Sequence, residues 1–305
     1  MNIGPSAVTS SGQPSRLRIA FGRQEHRMDA PKKVGILARL GRNEFASRLI
    51  LGAMGAALFI GFWQYLLEPI ARAIYGNPGL EFPTFSESIG SLLSSFTHKD
   101  LWNPNFMGDH LSSSLARVML GFGLAAVIAV PVGLMMGWVK KFEHFAFPIN
   151  ELARPIPPLA WIPVAIILME GELKVVFICF LGAYFPILIN TIQGVKAIDP
   201  VLFDASKTLG AGRADIFLKV VVPATIGHIM TGLRVGLGVA WMTIVAAEMI
   251  GANNGVGWYI YATAIQQGEY TQALGGMILI GIVGYAIFIA MDVGERRVLK
   301  WMGMR

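Results

Sequence analysis

The sequence predicts an all-α membrane protein with six transmembrane helices, and three observations carry that prediction. Charged residues make up 14% of the 305 residues and hydrophobic ones 54%, whereas a soluble domain carries about 25% charged residues. Apolar runs near the length needed to cross a bilayer, about 20 residues, recur along the chain. Lys and Arg fall between those runs in an alternating pattern, as membrane topology requires.

The runs are read in order. Leu49 to Leu67 lies between Arg48 and Glu68 with no charge inside. It lacks a small-residue cleavage pattern and is followed by further apolar runs, so it reads as an uncleaved span and not a signal peptide. Val118 to Val139 is flanked by Arg117 and Lys140. Pro155 to Met169 is short and carries Pro155, Pro157, Pro158 and Pro163. Proline lacks the N–H and clashes with the preceding turn, so this third span should begin irregularly or kink. Irregular backbone at membrane depth is tolerated where protein buries it or a cavity is lined by it. That places the span inside the bundle, either beside a translocation path or as a plain structural kink. Val175 to Val195 is the fourth span, 226–248 the fifth and Thr271 to Met291 the sixth.

Basic residues orient the bundle. Nine precede Leu49, only Arg72 and Lys99 lie between Ala71 and Leu111, and Lys140 and Lys141 follow the second span. Lys174 alone separates the third from the fourth. Lys196, Lys207, Arg213 and Lys219 follow the fourth, none lies between Gly251 and Tyr270, and Arg296, Arg297, Lys300 and Arg305 end the chain. Both termini are therefore expected on the cytoplasmic side of the cell (inner) membrane. Residues 1–48 read as a basic cytoplasmic leader, disordered to about Lys33, with Ile36 to Arg48 as a short interfacial helix. Residues 49–305 read as the membrane domain, and Glu68 to Asp109 as a polar outside loop with short surface helices.

The net charge of +6 comes without a basic patch or a docking motif, so nucleic acid is not expected as a partner. Cys179, the one cysteine, lies in an apolar run and reads as a small buried residue. The five histidines show no metal-ligand spacing. No GxxxxGK[ST] loop is present, so the chain carries no ATPase site of that kind. Gly210-Ala211-Gly212 opens like a dinucleotide fingerprint, but Asp215 stands where its third glycine should be. Gly133 with Gly137, and Gly232 with Gly236, have the small-xxx-small spacing that lets helices approach closely.

The loop between spans four and five is the most informative stretch. Val201, Leu202, Ala205 and Leu209 fall on one side of a short helix, and Gly210 and Gly212 break it. Ile216, Phe217, Val220 and Val221 follow at helical spacing, and Pro223 is expected to close that second helix before span five. A helix–turn–helix knob of this kind suits a groove on a partner.

This loop resembles the inside-loop signature of binding-protein-dependent ABC importer permeases: Glu-Ala-Ala, three residues, Gly, nine residues, then Ile-x-Leu-Pro. Asp204, Ala205, Ser206, Gly210, Val220, Val222 and Pro223 stand at that spacing. The departures are Asp for Glu, Ser for Ala and Val for both Ile and Leu, each conservative in size or charge. The stretch RPIPPLAWIP from Arg154, then Tyr184, Phe185, Pro186 and Asn190, and EMIGANNGVG from Glu248, are similar to the nitrate/sulfonate/taurine group of that family. The resemblance covers roughly residues 111–291.

The resemblance implies a permease paired with a second copy of itself, driven by two cytoplasmic ABC ATPase subunits that carry ATP and Mg. An extracytoplasmic solute-binding protein would deliver a small anion such as a sulfonate, taurine or nitrate. The Asp204–Pro223 loop would be the coupling helix resting on the ATPase, and the cavity would work by alternating access. This chain itself would bind no cofactor or metal and contact only lipid and protein.

Candidate path residues are Arg154, Trp161, Tyr184, Phe185, Asn190 and Glu248. Each also has a bland reading. Arg154 and Arg234 can snorkel, the aromatics can simply pack, and Glu248 can be an outer-end residue held by water or loop N–H groups. An ion-gradient-driven secondary transporter is the alternative. It would need intramembrane carboxylates or broken helices in paired halves; Glu248 is the one candidate carboxylate, and the halves do not repeat. A membrane enzyme would need a clustered acid/base or nucleophile set, which the sequence does not offer.

Overall fold

A computed structural model describes residues 44–76, 82–97 and 106–303. Leader residues 1–43 lie outside this range, so the disorder expected there and most of the expected interfacial helix are not addressed. The chain divides into two compact units, Met1–Ala57 and Leu58–Arg305. Of the first, the described part is the opening of one helix; the rest of the description concerns the second.

Helix α1 runs over Glu44–Tyr65 and α2 over Leu67–Tyr75, with a 48° bend between them. The first predicted span is thus a broken pair that continues to Gly76, whose φ of 62° ends α2. The connection that follows contains α3, Phe85–Thr97, one of the short helices expected there. Thr84 and Glu87 form a reciprocal cap at its start: the Thr84 N–H donates to Glu87 Oε2 (2.9 Å) and the Glu87 N–H to Thr84 Oγ1 (3.4 Å).

Helix α4, Met107–Trp138, starts eleven residues before the predicted boundary at Val118. Arg117 is inside the helix, 2% exposed, and not at its end. A cation can sit there because two carboxylates meet it, as described below. Helix α5, Lys140–Ala153, was not expected. Its charges Lys140, Lys141, Glu143 and Glu151 break up the apolar run, although Phe142, Phe145, Phe147 and Ile149 recur within it.

The predicted third span, Pro155 to Met169, is a 3₁₀ turn at Pro158–Trp161 followed by the seven-residue α6, Ile162–Leu168. Seven residues reach about 10 Å, too short to cross alone. With α5 the pair is bent by 88°, because the prolines remove donors where the helix would continue.

Helix α7, Leu173–Lys196, matches its prediction closely and forms the centre of the bundle, packing along α4 and, further on in the chain, α10. Gly133 faces Thr191, where a Cβ would come within 2.7 Å of that side chain, and Gly232 faces Asn190 at 2.9 Å. The glycine pairs therefore serve close approach within one chain.

Helix α8, Pro200–Thr208, and α9, Arg213–Ile216, flank the glycine turn. A π-turn over Phe217–Val221 then leads into α10, Val222–Gly251. Contrary to expectation, Pro223 does not close the helix. The Val222 N–H reaches back five residues to Phe217 O, and this wider turn accommodates a proline that has no N–H to give. The run 213–251 is thus one continuous rod of 39 residues. Helix α11, Val256–Tyr261, a second π-turn at Ala262–Gln267 and α12, Tyr270–Trp301, complete the chain.

Four helices are long and apolar enough to cross a membrane, or six if each bent pair is one span, and no strand occurs among the described residues. The fold is all-α and polytopic.

Candidate functional site

The knob is built from its caps upward. Pro200 at the first turn of α8 needs no N–H partner, and Asp199 accepts the Val201 N–H at 2.9 Å. At the other end the Gly210 N–H bonds Lys207 O (2.9 Å) and the Ala211 N–H bonds Ser206 O (3.0 Å). These are the paired bonds that satisfy the last carbonyls when the chain leaves through a left-handed residue; Gly210 has φ +80°.

The inner side of the knob is anchored. Phe203 and Phe217 pack on Trp138 with ring centroids 5.6 and 6.2 Å away. Val195, Ile198 and Val221 are buried beside Leu134. The other side is bare: Val201, Leu202 and Leu218 are exposed, and Leu209 is 87% exposed. Asp204 pairs with Lys207 at 3.2 Å, Ala205 is exposed, and Ser206 donates to Leu202 O. Val220, Val222 and Pro223 are half-buried in the stem. The apolar residues expected on one side of α8 are the ones left uncovered.

Of the path candidates, Arg154 and Phe185 line one cavity of about 210 Å³ with Asn150, Gln193, Glu143 and Lys196. Tyr184 reaches its edge by donating to Asn150 Oδ1 at 3.2 Å. Arg154 lies 3.6 Å from Glu151, and Lys196 pairs with Glu143 at 2.5 Å. Trp161 packs half-buried on the main core, and Asn190 uses its amide on Pro186 O at 2.8 Å. Neither lines that cavity.

Glu248 is 0% exposed and 2.7 Å from Arg117 Nη1. Its carboxylate also accepts from Ser114 Oγ (2.9 and 2.8 Å) and from the Gly257 N–H (3.0 Å). One N–H, that of Gly257 in the first turn of α11, bonds it rather than a set of loop groups, and no solvent reaches it. Its neighbourhood is tight: a Cβ on Gly255, φ +111°, would overlap the Glu248 carboxylate. Arg117 turns its other edge to Glu172, with Nε and Nη2 at 3.1 and 2.8 Å, and also bonds the Asn254 carbonyl at 3.0 Å and the Asn254 side chain. The guanidinium beside it holds the Glu172 carboxyl below the usual carboxylate range. Sequence reasoning had Glu248 but neither partner. Arg117 looked like a span boundary and Glu172 was not singled out; the one available signal was the apolar pattern continuing in front of Arg117.

With this geometry in place, known proteins can be compared. The profile described as "Binding-protein-dependent transport system inner membrane component" matches residues 129–303. A putative ABC transporter permease of Methanocaldococcus jannaschii is 37% identical over 89% of this chain and 98% of its own length. The taurine transport system permease TauC of Escherichia coli is 35% identical over 64% of this chain and 70% of its own. The nitrate import permease NrtB of a Synechocystis strain is 36% identical over 81% and 88%. A chain of the MetNI methionine ABC transporter, in an inward-facing form, superposes with a TM-score of 0.57 at 21% identity, covering 63% of this chain and 95% of that one. A chain of a bacterial alginate ABC transporter, solved with a periplasmic protein bound to alginate pentasaccharide, gives 0.55 at 16% identity over 87% and 98%. At those identities the structures show a shared fold. Profile, relatives and fold agree: the chain belongs to the family of inner-membrane components of binding-protein-dependent transport systems, the ABC importer permeases.

Proposed function

We propose that this permease carries a small anion of the sulfonate, taurine or nitrate class, and that its 199–223 knob is the contact through which a partner ATPase drives it. The observation that carries the coupling role is the knob itself: a bare apolar surface on a rigid, aromatic-anchored base. That surface is joined without interruption to the 39-residue rod 213–251. A groove on an ATPase subunit would cover Leu209 and Val201 in helix-in-groove fashion, and closure of two ATPases would then move the rod. Both termini and the knob lie on the cytoplasmic side in this reading, following the Lys and Arg distribution. A second copy of the chain completes the path, and an extracytoplasmic solute-binding protein delivers the substrate to the opposite face.

ATP and Mg belong to the partner, and this chain contributes the stroke. Two discrete arrangements of the bundle, each favoured by a different ligand state, suffice for alternating access. The substrate class rests on the relatives named for taurine and nitrate. Arg154 and Lys196 line the 210 Å³ cavity together with Glu151 and Glu143, the carboxylates they lie beside, and an anion passing there would compete with those carboxylates for the two cations.

The test is Leu209→Asp in the transporter reconstituted with its ATPase and binding protein. Leu209 touches little in this chain, so insertion and thermal stability should stay as in the parent. Binding-protein-stimulated ATP hydrolysis should drop at least tenfold. Normal stimulation overturns the coupling role. Uptake of taurine and of nitrate into the same proteoliposomes tests the substrate class, and transport of neither overturns it.

A further inference from the structure

Arg117 divides one cation between two carboxylates in opposite surroundings. Glu248 is sealed in, with Ser114 and the Gly257 N–H completing its bonds, and the Val256 N–H in turn donating to Ser114 Oγ at 2.9 Å. A carboxylate so placed needs its cation in every state of the protein. Glu172 meets the same guanidinium through two hydrogen bonds, yet its side chain is 63% exposed. Water reaches this carboxylate and can replace the guanidinium as its partner, so opening this pair costs less than uncoupling the sealed Glu248. When it opens, Arg117 keeps Glu248 and Asn254 and is not left bare.

Each partner is tied to a different part of the chain. Ser114 and Arg117 belong to α4, Glu248 to α10, and Asn254 and Gly257 to the turn before and the start of α11. These three move as one body as long as the buried bonds hold. Glu172 belongs to the short connection between α6 and α7, where Gly171 takes φ +58°. Helix α6 buries Ile162 and Ala165 in the main core and leaves Val164, Ile166, Ile167 and Leu168 uncovered in this chain. The α6–α7 connection runs into the packed start of α7, where Val175 and Val176 are buried, and the Glu172 side chain adds a bond to the α4–α10 body that can break while that packing stays whole.

We infer that the Glu172–Arg117 pair is a releasable latch, and that Glu172 is a positioning residue holding the α6–α7 connection in one of the two arrangements the transporter alternates between. It lies at the end of α10 remote from the knob. The inference rests on the permease identity, and it does not require the knob to be the coupling contact.

Glu172→Gln removes the charge with little change of shape at an exposed position. The reporter is Met169→Cys, half-buried at the start of the same connection, labelled by a maleimide in the detergent-solubilised complex, where both faces are open to reagent. The native Cys179 is fully buried and gives little background. With Glu172 present, labelling should be slow and should speed up by about twofold between low and high salt, because the exposed carboxylate is screened while the buried guanidinium is screened less. With Glu172→Gln it should be fast already and insensitive to salt; Glu172→Asp should restore the salt dependence.

A second readout is ATP hydrolysis without binding protein, which should change at least threefold in Glu172→Gln, since the balance of the two arrangements has shifted. Labelling rates and salt dependence equal to those of the parent overturn the latch. Altered labelling with unaltered hydrolysis overturns its role in the transport cycle. Loss of stimulation in Leu209→Asp is read separately, so failure of the latch and failure of the knob are told apart.

Discussion

The rod 213–251 ends in two chemistries. At the knob end apolar side chains face outwards, uncovered by any of the described residues. About 50 Å away, at 1.5 Å per residue, Glu248 is a charge with no exposure at all and every oxygen engaged. The knob leaves apolar surface without a partner among the described residues; at the far end Glu248 has its partners within the chain. One end is therefore a place where force enters, and the other is a place where the helix is tied to its neighbours so that force is passed on. Changes at the two ends should fail in different ways.

The largest effect expected is on activity alone, from Leu209→Asp: a tenfold or greater loss of stimulated hydrolysis with the unfolding midpoint unchanged. At the other end the order reverses. Arg117→Met leaves Glu248 buried and without its cation, and breaking such a pair costs about 3–5 kcal/mol. Detergent unfolding of the purified chain should show it. Arg117→Met combined with Glu248→Gln should recover more than half of the loss. The amide still accepts from the Gly257 N–H, and no charge is stranded. Equal destabilisation of the single and double variants would mean that shape, not charge, decides at this end.

A change in the shaft should be felt at both ends. A Cβ on Gly232 would sit 2.9 Å from Asn190 Cβ and 3.2 Å from the Ile187 backbone. Gly232→Ala must therefore push α10 off α7, an overpacking cost of about 1–3 kcal/mol. If the rod is rigid, this variant lowers both the unfolding midpoint and the stimulated hydrolysis. A fall in stability with full coupling would show that the two ends work independently.

The same contrast separates what was legible in the sequence from what was not. Four long spans and the knob were legible because they rest on local pattern: apolar length, glycine, proline and helical spacing. Arg117 misled because a charge at a span edge and a charge inside a helix look alike until its partner is known. That partner is 131 residues away. Helix α5 was hidden by Lys140, Lys141 and Glu143; the two lysines are exposed, and Glu143 pairs with Lys196. Pro223 misled because the remedy, a π-turn five residues long just before it, leaves no mark in composition. Of the path candidates, Arg154, Tyr184 and Phe185 gather at one cavity, while Asn190 and Glu248 are spent on hydrogen bonds inside the bundle. Residue type alone does not tell a lining group from a satisfied one.

The smallest effect concerns Glu172, the one member of the Arg117, Glu248 and Glu172 cluster that water reaches freely. Arg117 lowers the pKa of Glu172 in the folded protein. The stabilisation that follows is present above the ordinary carboxylate pKa and is lost as pH falls through the lowered, folded value. Because Glu172 is mostly exposed, solvent screening holds its worth to under about 1 kcal/mol. Unfolding midpoints of the parent and of Glu172→Gln should therefore differ by a small constant amount from neutral pH down to pH near 5, and should converge below about pH 4. Glu248 is common to both proteins, so its own protonation cancels in the difference. A gap that widens on acidification would mean that Glu172 is held by something other than the Arg117 charge, and would leave the far end with no releasable part.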